Sequence, residues 1–281
     1  MLLKIFHQTR YSYDTPVPYG LLQLRLVPPT GPGQDVRSWK TSVTGGRKET
    51  SFRDHFRNTV ELVSTEPETD AITVTCEGSV DVSDNTGITG PHRGFVPLWL
   101  FRRTTAMTDP GRRVGKLIRE FSESGPTEGG RRNDGRKGDD DGDIARLHRL
   151  SARVRERIDF EPGRTDATTR AEDALAAGRG VCQDHTHVFL SAARGLGFPA
   201  RYVSGYLLTH GQNGAQASHA WAEVHVEDLG WVGFDISNGI SPDDRYARVA
   251  TGLDYMDAAP IRGMRFGNGG ESLDVTLQVQ Q

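Results

Sequence analysis

The period of the apolar residues first changes near residue 110, from that of strands to that of helices. Before it, residues 21–27 alternate and end at Pro28-Pro29, while 59–63 and 71–76 are short, rich in β-branched residues and bounded by turn chemistry. Such strands predict an antiparallel sandwich or meander. After it, Val114, Leu117, Ile118 and Phe121 fall at i, i+3, i+4 and i+7, one face of a helix. A second helix starts at Ile144, keeps Leu147, Leu150 and Val154 in register, and closes at Ile158. A helical stretch ends at Gly178, and a further helix spans 183–194, stopped by Gly195 and Gly197-Phe-Pro199. Strands at 200–208, 219–226 and 231–237 follow. Helices first and antiparallel strands after them make an α+β order. The boundary falls within 95–110, which gives a β-rich unit at 1–105 and an α+β unit at 106–281.

Between the first two helices, residues 122–143 hold six glycines, eleven charged residues and no large apolar side chain. The stretch has nothing to bury and reads as a disordered charged insertion. The chain as a whole, with 34 basic and 37 acidic residues, lacks the basic excess of a nucleic-acid binder. No apolar run approaches the ~18–20 residues of a membrane span, and the N-terminus lacks the pattern of a signal peptide. A cytoplasmic protein is the expectation. Its two cysteines, Cys76 and Cys182, are then free thiols.

Cys182 follows Gly178-Arg-Gly180-Val and opens a helix. Cys182, Thr186, Phe189, Leu190 and Ala193 share one face, apolar below the sulfur. The free N–H groups and dipole of a helix start favour an anionic nucleophile there. A thiol nucleophile wants a histidine to take and return its proton, and a third group to fix the histidine tautomer. His219 begins an alternating strand with Trp221, Glu223 and His225 on its side. If the following turn centres on Asp228, His219 faces position 237 and Asp235 is its diagonal neighbour on the same face. A one-residue slip would put Asp235 on the other face.

These residues carry a resemblance. Gly178-Arg-Gly180-Val-Cys182-Gln-Asp, Pro199-Ala-Arg-Tyr-Val-Ser-Gly-Tyr206, His219-Ala-Trp-Ala-Glu223 and Gly230-Trp-Val-Gly-Phe-Asp235 closely resemble the bacterial transglutaminase-like superfamily. Tyr11-Ser-Tyr, Leu24-Arg-Leu, Asp54-His-Phe-Arg-Asn58 and the closing Gly252-Leu-Asp-Tyr255 and Pro260-Ile-Arg-Gly263 are similar to its β-rich N-terminal domain and its ending. The resemblance implies a papain-like core with Cys182 as nucleophile, His219 as acid and base, and Asp235 as orienter. It depicts two departures: His185 stands where relatives carry an apolar or aromatic residue, and Arg57 precedes Asn58 where many relatives have Gly-Asn. The first alters the pocket or binds metal; the second changes a turn.

The implied chemistry is acyl transfer on a protein or peptide amide. Cys182 attacks the carbonyl, N–H groups at the helix start hold the oxyanion, and the thioester passes to an amine or to water. Trp221 and Trp231 are candidates to line the cleft or to fill the core. No cofactor is required, and residues 139–142 lack the spaced ligands of a calcium loop. A cysteine peptidase or amidase on the same fold is the nearest alternative, followed by a catalytically silent binding module and a Zn hydrolase. Against zinc, Cys182, His185 and His187 fall near 0°, 300° and 140° on a helix at ~100° per residue, so His187 points away and is expected to make a core hydrogen bond.

Overall fold

Alternating strands from both ends of the chain build a two-sheet sandwich. The computed structural model describes residues 1–122, 142–209, 218–267 and 269–281. Strands β1 (Leu2–Val17), β2 (Tyr19–Val27), β3 (Gln34–Thr44), β4 (Gly46–Arg53), β5 (Thr59–Thr65) and β6 (Thr69–Val82) make up most of it, and β7 (Ile88–Gly90) leads out. A 3-10 turn at Leu98–Arg102 precedes α1 (Arg112–Ser122), α2 (Asp143–Arg157), β8 (Asp159–Phe160), α3 (Ala171–Ala177), β9 (Arg179–Gly180) and α4 (Cys182–Gly195). Then come β10 (Ala200–Leu207), β11 (His219–Val226), β12 (Gly230–Phe234), β13 (Tyr246–Gly252), α5 (Tyr255–Ala258), β14 (Ile261–Phe266) and β15 (Glu271–Gln280).

The sandwich sheets run β15-β1-β6-β3 and β14-β2-β5-β4, and the central sheet runs β13-β10-β11-β12-β7. Every strand pair in these three sheets is antiparallel. The last twenty residues thus return to the sandwich, pairing with β1 and β2, instead of staying with the helix-bearing half that a division at residue 105 assigns them to. Likewise β7, from the N-terminal side, extends the central sheet at β12. Non-local pairing leaves no local trace in sequence, so a linear boundary misses both exchanges. The expectation about the charged insertion lies outside the described residues, apart from Ser122, which ends α1, and Gly142 and Asp143, which cap and begin α2.

One face of the central sheet presents Ala220, Ala222, Val224, Val226, Val232 and Phe234 to Val188, Phe189, Leu190, Ala192 and Ala193 of α4. Helices α1, α2 and α3 close over the far side of α4 through Val114, Leu117, Leu147, Leu150, Ala174 and Leu175. Each fully buried aliphatic or aromatic side chain here is worth about 1.5–3 kcal/mol. The amphipathic reading of α4 therefore captures only part of its burial: residues 184–194 are buried on all sides. The opposite face of the sheet meets the sandwich, with Tyr206, Leu208, Ala247 and Val249 against Leu3, Ile5, Val80, Leu277 and Val279. Polar groups stitch this seam. The Tyr206 hydroxyl lies 2.9 Å from His7 Nδ1 and 3.5 Å from Cys76 Sγ.

Asn58 does more than shape a turn. Its side-chain amide donates to the Asp54 carboxylate (2.9 Å) and to Thr251 O (2.8 Å), and its Oδ1 accepts from Thr251 N (2.9 Å), tying the sandwich to β13. Arg57, just before it, sits at φ 70°, the left-handed region where glycine fits without strain. Among the described residues no helix is long and apolar enough to cross a membrane.

Candidate active site

The start of α4 is fixed by its own acid. Asp184 Oδ2 accepts from Val181 N (2.8 Å) and from the Thr165 hydroxyl (2.7 Å), which locks the turn ahead of Cys182. Gly180 is needed here, since a Cβ would sit 2.6 Å from that same Oδ2. Asp184 is buried and its pKa is raised, because desolvation outweighs those hydrogen bonds. The N–H groups of Cys182 and Gln183 have no acceptor among the described residues, so they remain available to an oxyanion. The Cys182 side chain is half-buried at this corner.

His219 stands at the first position of β11. The β11–β12 pairing runs Ala222↔Phe234, Glu223↔Gly233, Val224↔Val232, His225↔Trp231 and Val226↔Gly230, a register centred on Asp228 as the sequence predicts. Asp228 takes φ 65° to make that turn. β12 stops at Phe234, short of the expected 237, because Asp235 bridges forward to Ile240 (Asp235 N to Ile240 O, 2.8 Å). That hook supplies donors: Ser237 Oγ and Asn238 N reach Asp235 Oδ1 at 2.9 and 3.2 Å, and Asn238 Nδ2 reaches Oδ2 at 2.7 Å. The Tyr246 hydroxyl, from β13, donates to Oδ2 at 2.7 Å. His219 Nε2 donates to the same oxygen at 2.6 Å.

The carboxylate is fully buried and accepts five hydrogen bonds. Burial alone would raise its pKa, but the hydrogen bond and charge of His219, then Asn238 and Tyr246, lower it to about 2. For His219, burial opposes the charged form. The hydrogen bond to Asp235 and the hydrogen bond and charge of Cys182 outweigh it and raise its pKa to about 10. With Nε2 taken by Asp235, Nδ1 is the nitrogen left for the sulfur. Trp221 stacks on the imidazole (centroids 6.4 Å, 28°), and Tyr246 packs at 5.9 Å.

Cys182, His219 and Asp235 are thus brought together. The two tryptophans are not surfaces of an open cleft: each is 2% exposed. Trp221 backs His219, while Trp231 is held among Val96, Phe101 and His92, with the Arg201 guanidinium 4.1 Å from its ring centroid. Arg201 in turn pairs with the buried Glu223, which also binds Arg248. His185 does not turn toward a chelate with Cys182. Its Nδ1 lies 2.9 Å from Val181 O and its Nε2 2.9 Å from Ile158 O. His187 makes the expected core hydrogen bond, accepting from Tyr255 N at 3.1 Å, and desolvation lowers its pKa to about 4. Among the described residues no group of three His, Cys, Asp or Glu side chains is arranged to hold a metal ion. Sequence reasoning missed Tyr246, Asn238 and Ser237. The Asp235-Ile-Ser-Asn-Gly239 run carries a turn signal that could have found the last two.

Residues 133–236 match the transglutaminase-like superfamily, and residues 3–81 match the bacterial transglutaminase-like N-terminal region. The chain belongs to the transglutaminase-like superfamily. Its transglutaminase-like fold is shared by a candidate cysteine protease from Cytophaga hutchinsonii, with a TM-score of 0.74 at 18% identity over 100% of this chain and 91% of that one. An uncharacterized protein of Mycobacterium leprae is 28% identical over 99% of this chain and 98% of its own length. Another, from Mycobacterium tuberculosis, is 35% identical over 47% of this chain and 46% of its own.

The two thiols of this transglutaminase-like chain differ in setting. Cys76 is fully buried in the sandwich, where desolvation raises its pKa to about 11. At neutral pH and limiting iodoacetamide, Cys182 is expected to be alkylated at least tenfold faster than Cys76. Peptide mapping by mass spectrometry reads the ratio; equal labelling would contradict the assignment.

Proposed function

We propose that this protein is a cysteine-dependent acyl transferase acting on amide groups of proteins or peptides. The observation that carries the reading is His219, hydrogen-bonded to the buried Asp235 carboxylate and near enough to Cys182 for that thiol to raise its pKa. In the first step Sγ attacks the amide carbon while the proton shared by Cys182 and His219 sits on the imidazole. The resulting oxyanion meets the N–H groups of Cys182 and Gln183. His219 then returns the proton to the leaving nitrogen, the C–N bond breaks, and a thioester remains on Cys182. An amine or a water, deprotonated by His219, attacks the thioester and frees the thiol. An amine acceptor gives transamidation; water gives deamidation or peptide hydrolysis. Asp235 does not take the proton: it holds the tautomer and the orientation of the ring.

A purified sample incubated with a blocked glutaminyl-glycine peptide and a fluorescent primary amine tests this. Amine incorporation or ammonia release is expected, unaffected by a strong chelator and absent in Cys182→Ala. Turnover that a chelator removes, zinc restores and Cys182→Ala retains would overturn the reading in favour of metal chemistry.

A further inference from the structure

We propose that Phe160 is a specificity-determining platform beside the nucleophile, selecting acyl donors that carry an aromatic or large apolar side chain next to the reacting carbonyl. The inference rests on the acyl-transfer reading of Cys182 and deepens it. Phe160 is 58% exposed, large and uncharged. A lone exposed apolar residue needs no explanation by itself; two independent placements set this one apart. In the parallel β8–β9 pair, Phe160 is the register partner of Gly180, and Glu161 N donates to Gly180 O at 2.9 Å. Paired strands are ~4.8 Å apart and two extended residues span at most ~7 Å, so the Cα atoms of Phe160 and Cys182 lie within about 12 Å. From the other direction, the Phe160 ring stacks on His185 (centroids 6.3 Å, 28°). His185 is three residues beyond Cys182 on α4, and such residues are neighbours on a helix surface, with Cβ atoms ~5–6 Å apart.

One ring face is thus set against the buried His185 while the side chain stays open to solvent, paired across β8–β9 with the turn that leads into Cys182. Glu161, the next residue, is engaged by both Arg164 and Arg179. The apolar contact offered at this point is the exposed Phe160 ring itself. His185, a departure from the usual residue of the family, acquires a role here as the brace of the platform.

The test uses p-nitrophenyl esters of N-acetylphenylalanine and N-acetylglycine. On acylation the Sγ–C bond forms, the ester C–O bond breaks and p-nitrophenolate leaves, with the proton of the Cys182–His219 pair kept on His219. Each burst rate is divided by the rate of the same ester with a small free thiol. The wild type is expected to favour the phenylalanine ester at least tenfold, within the 10–200-fold range that apolar contacts supply. Phe160→Ala should bring that ratio to within threefold of one, Phe160→Trp should preserve it, and iodoacetamide labelling of Cys182 should stay unchanged in both. A ratio that survives Phe160→Ala in a protein with wild-type circular dichroism would overturn the inference while leaving the acyl-transfer reading intact. A burst of wild-type size in Cys182→Ala would remove that reading and the platform with it.

Discussion

His219→Ala is expected to lower the rate of Cys182 acylation by about 10³-fold or more while leaving the protein folded. A positioned general base typically contributes 10²–10⁴-fold, and this imidazole serves both proton transfers. Folding should survive because Asp235 keeps its donors from Ser237, Asn238 and Tyr246. His185→Ala, which leaves the His219–Asp235 pair untouched, should lower acylation by less than about tenfold. The measurement is the p-nitrophenolate burst for both variants, with circular dichroism as the control for folding. Loss in His185→Ala with retention in His219→Ala would reverse the assigned roles.

Asp235→Asn should be damaging in two ways. The carboxamide directs N–H donors at the donors of His219, Asn238 or Tyr246, so the tautomer that leaves Nδ1 free for the sulfur loses its support. Acylation is expected to fall by about 10²–10⁴-fold. Stability should fall by about 3 kcal/mol, the scale for breaking a buried, hydrogen-bonded ion pair. The pH dependence carries a sign. The folded pKa of Asp235, about 2, lies below the ordinary carboxylate value, so its contribution is complete above about pH 4 and is lost as the pH falls through 2. That of His219, about 10, lies above the ordinary imidazole value, so its contribution is complete below about pH 6.5 and is lost as the pH rises through 10. Urea unfolding of wild type and Asp235→Asn should therefore differ most near pH 5–6 and converge toward pH 10. A difference that grows with pH would contradict the ion pair.

The chemistry of this site was more legible in the sequence than its enclosure. The thiol sits at a helix start because Gly178 and Gly180 punctuate the chain, and the His219–Asp235 approach follows from a hairpin whose register can be counted from Asp228. These are local signals. The donors that fix Asp235 come partly from Tyr246, on a strand that carries no strong pattern of its own. The burial of Trp221 and Trp231 depends on the sandwich and the 3-10 turn, which meet the central sheet from afar. The same reasoning explains the fold: α1, α2 and α4 announce themselves by period, whereas β14 and β15 find their partners over two hundred residues away, a choice that only tertiary packing makes. Phe160 was invisible for a related reason. A two-residue strand has no periodicity, and its place beside the nucleophile depends on pairing with Gly180.

The most direct test of the central claim is to trap the acyl-enzyme. Wild-type protein mixed with N-acetylphenylalanine p-nitrophenyl ester, quenched in acid within the burst and digested, should carry the acyl mass on the Cys182 peptide alone. That adduct should be labile to neutral hydroxylamine and be discharged by a primary amine or water on longer incubation. An acyl group found on Cys76, or on any residue after Cys182→Ala, or an adduct that hydroxylamine leaves in place, would contradict a thioester mechanism at Cys182.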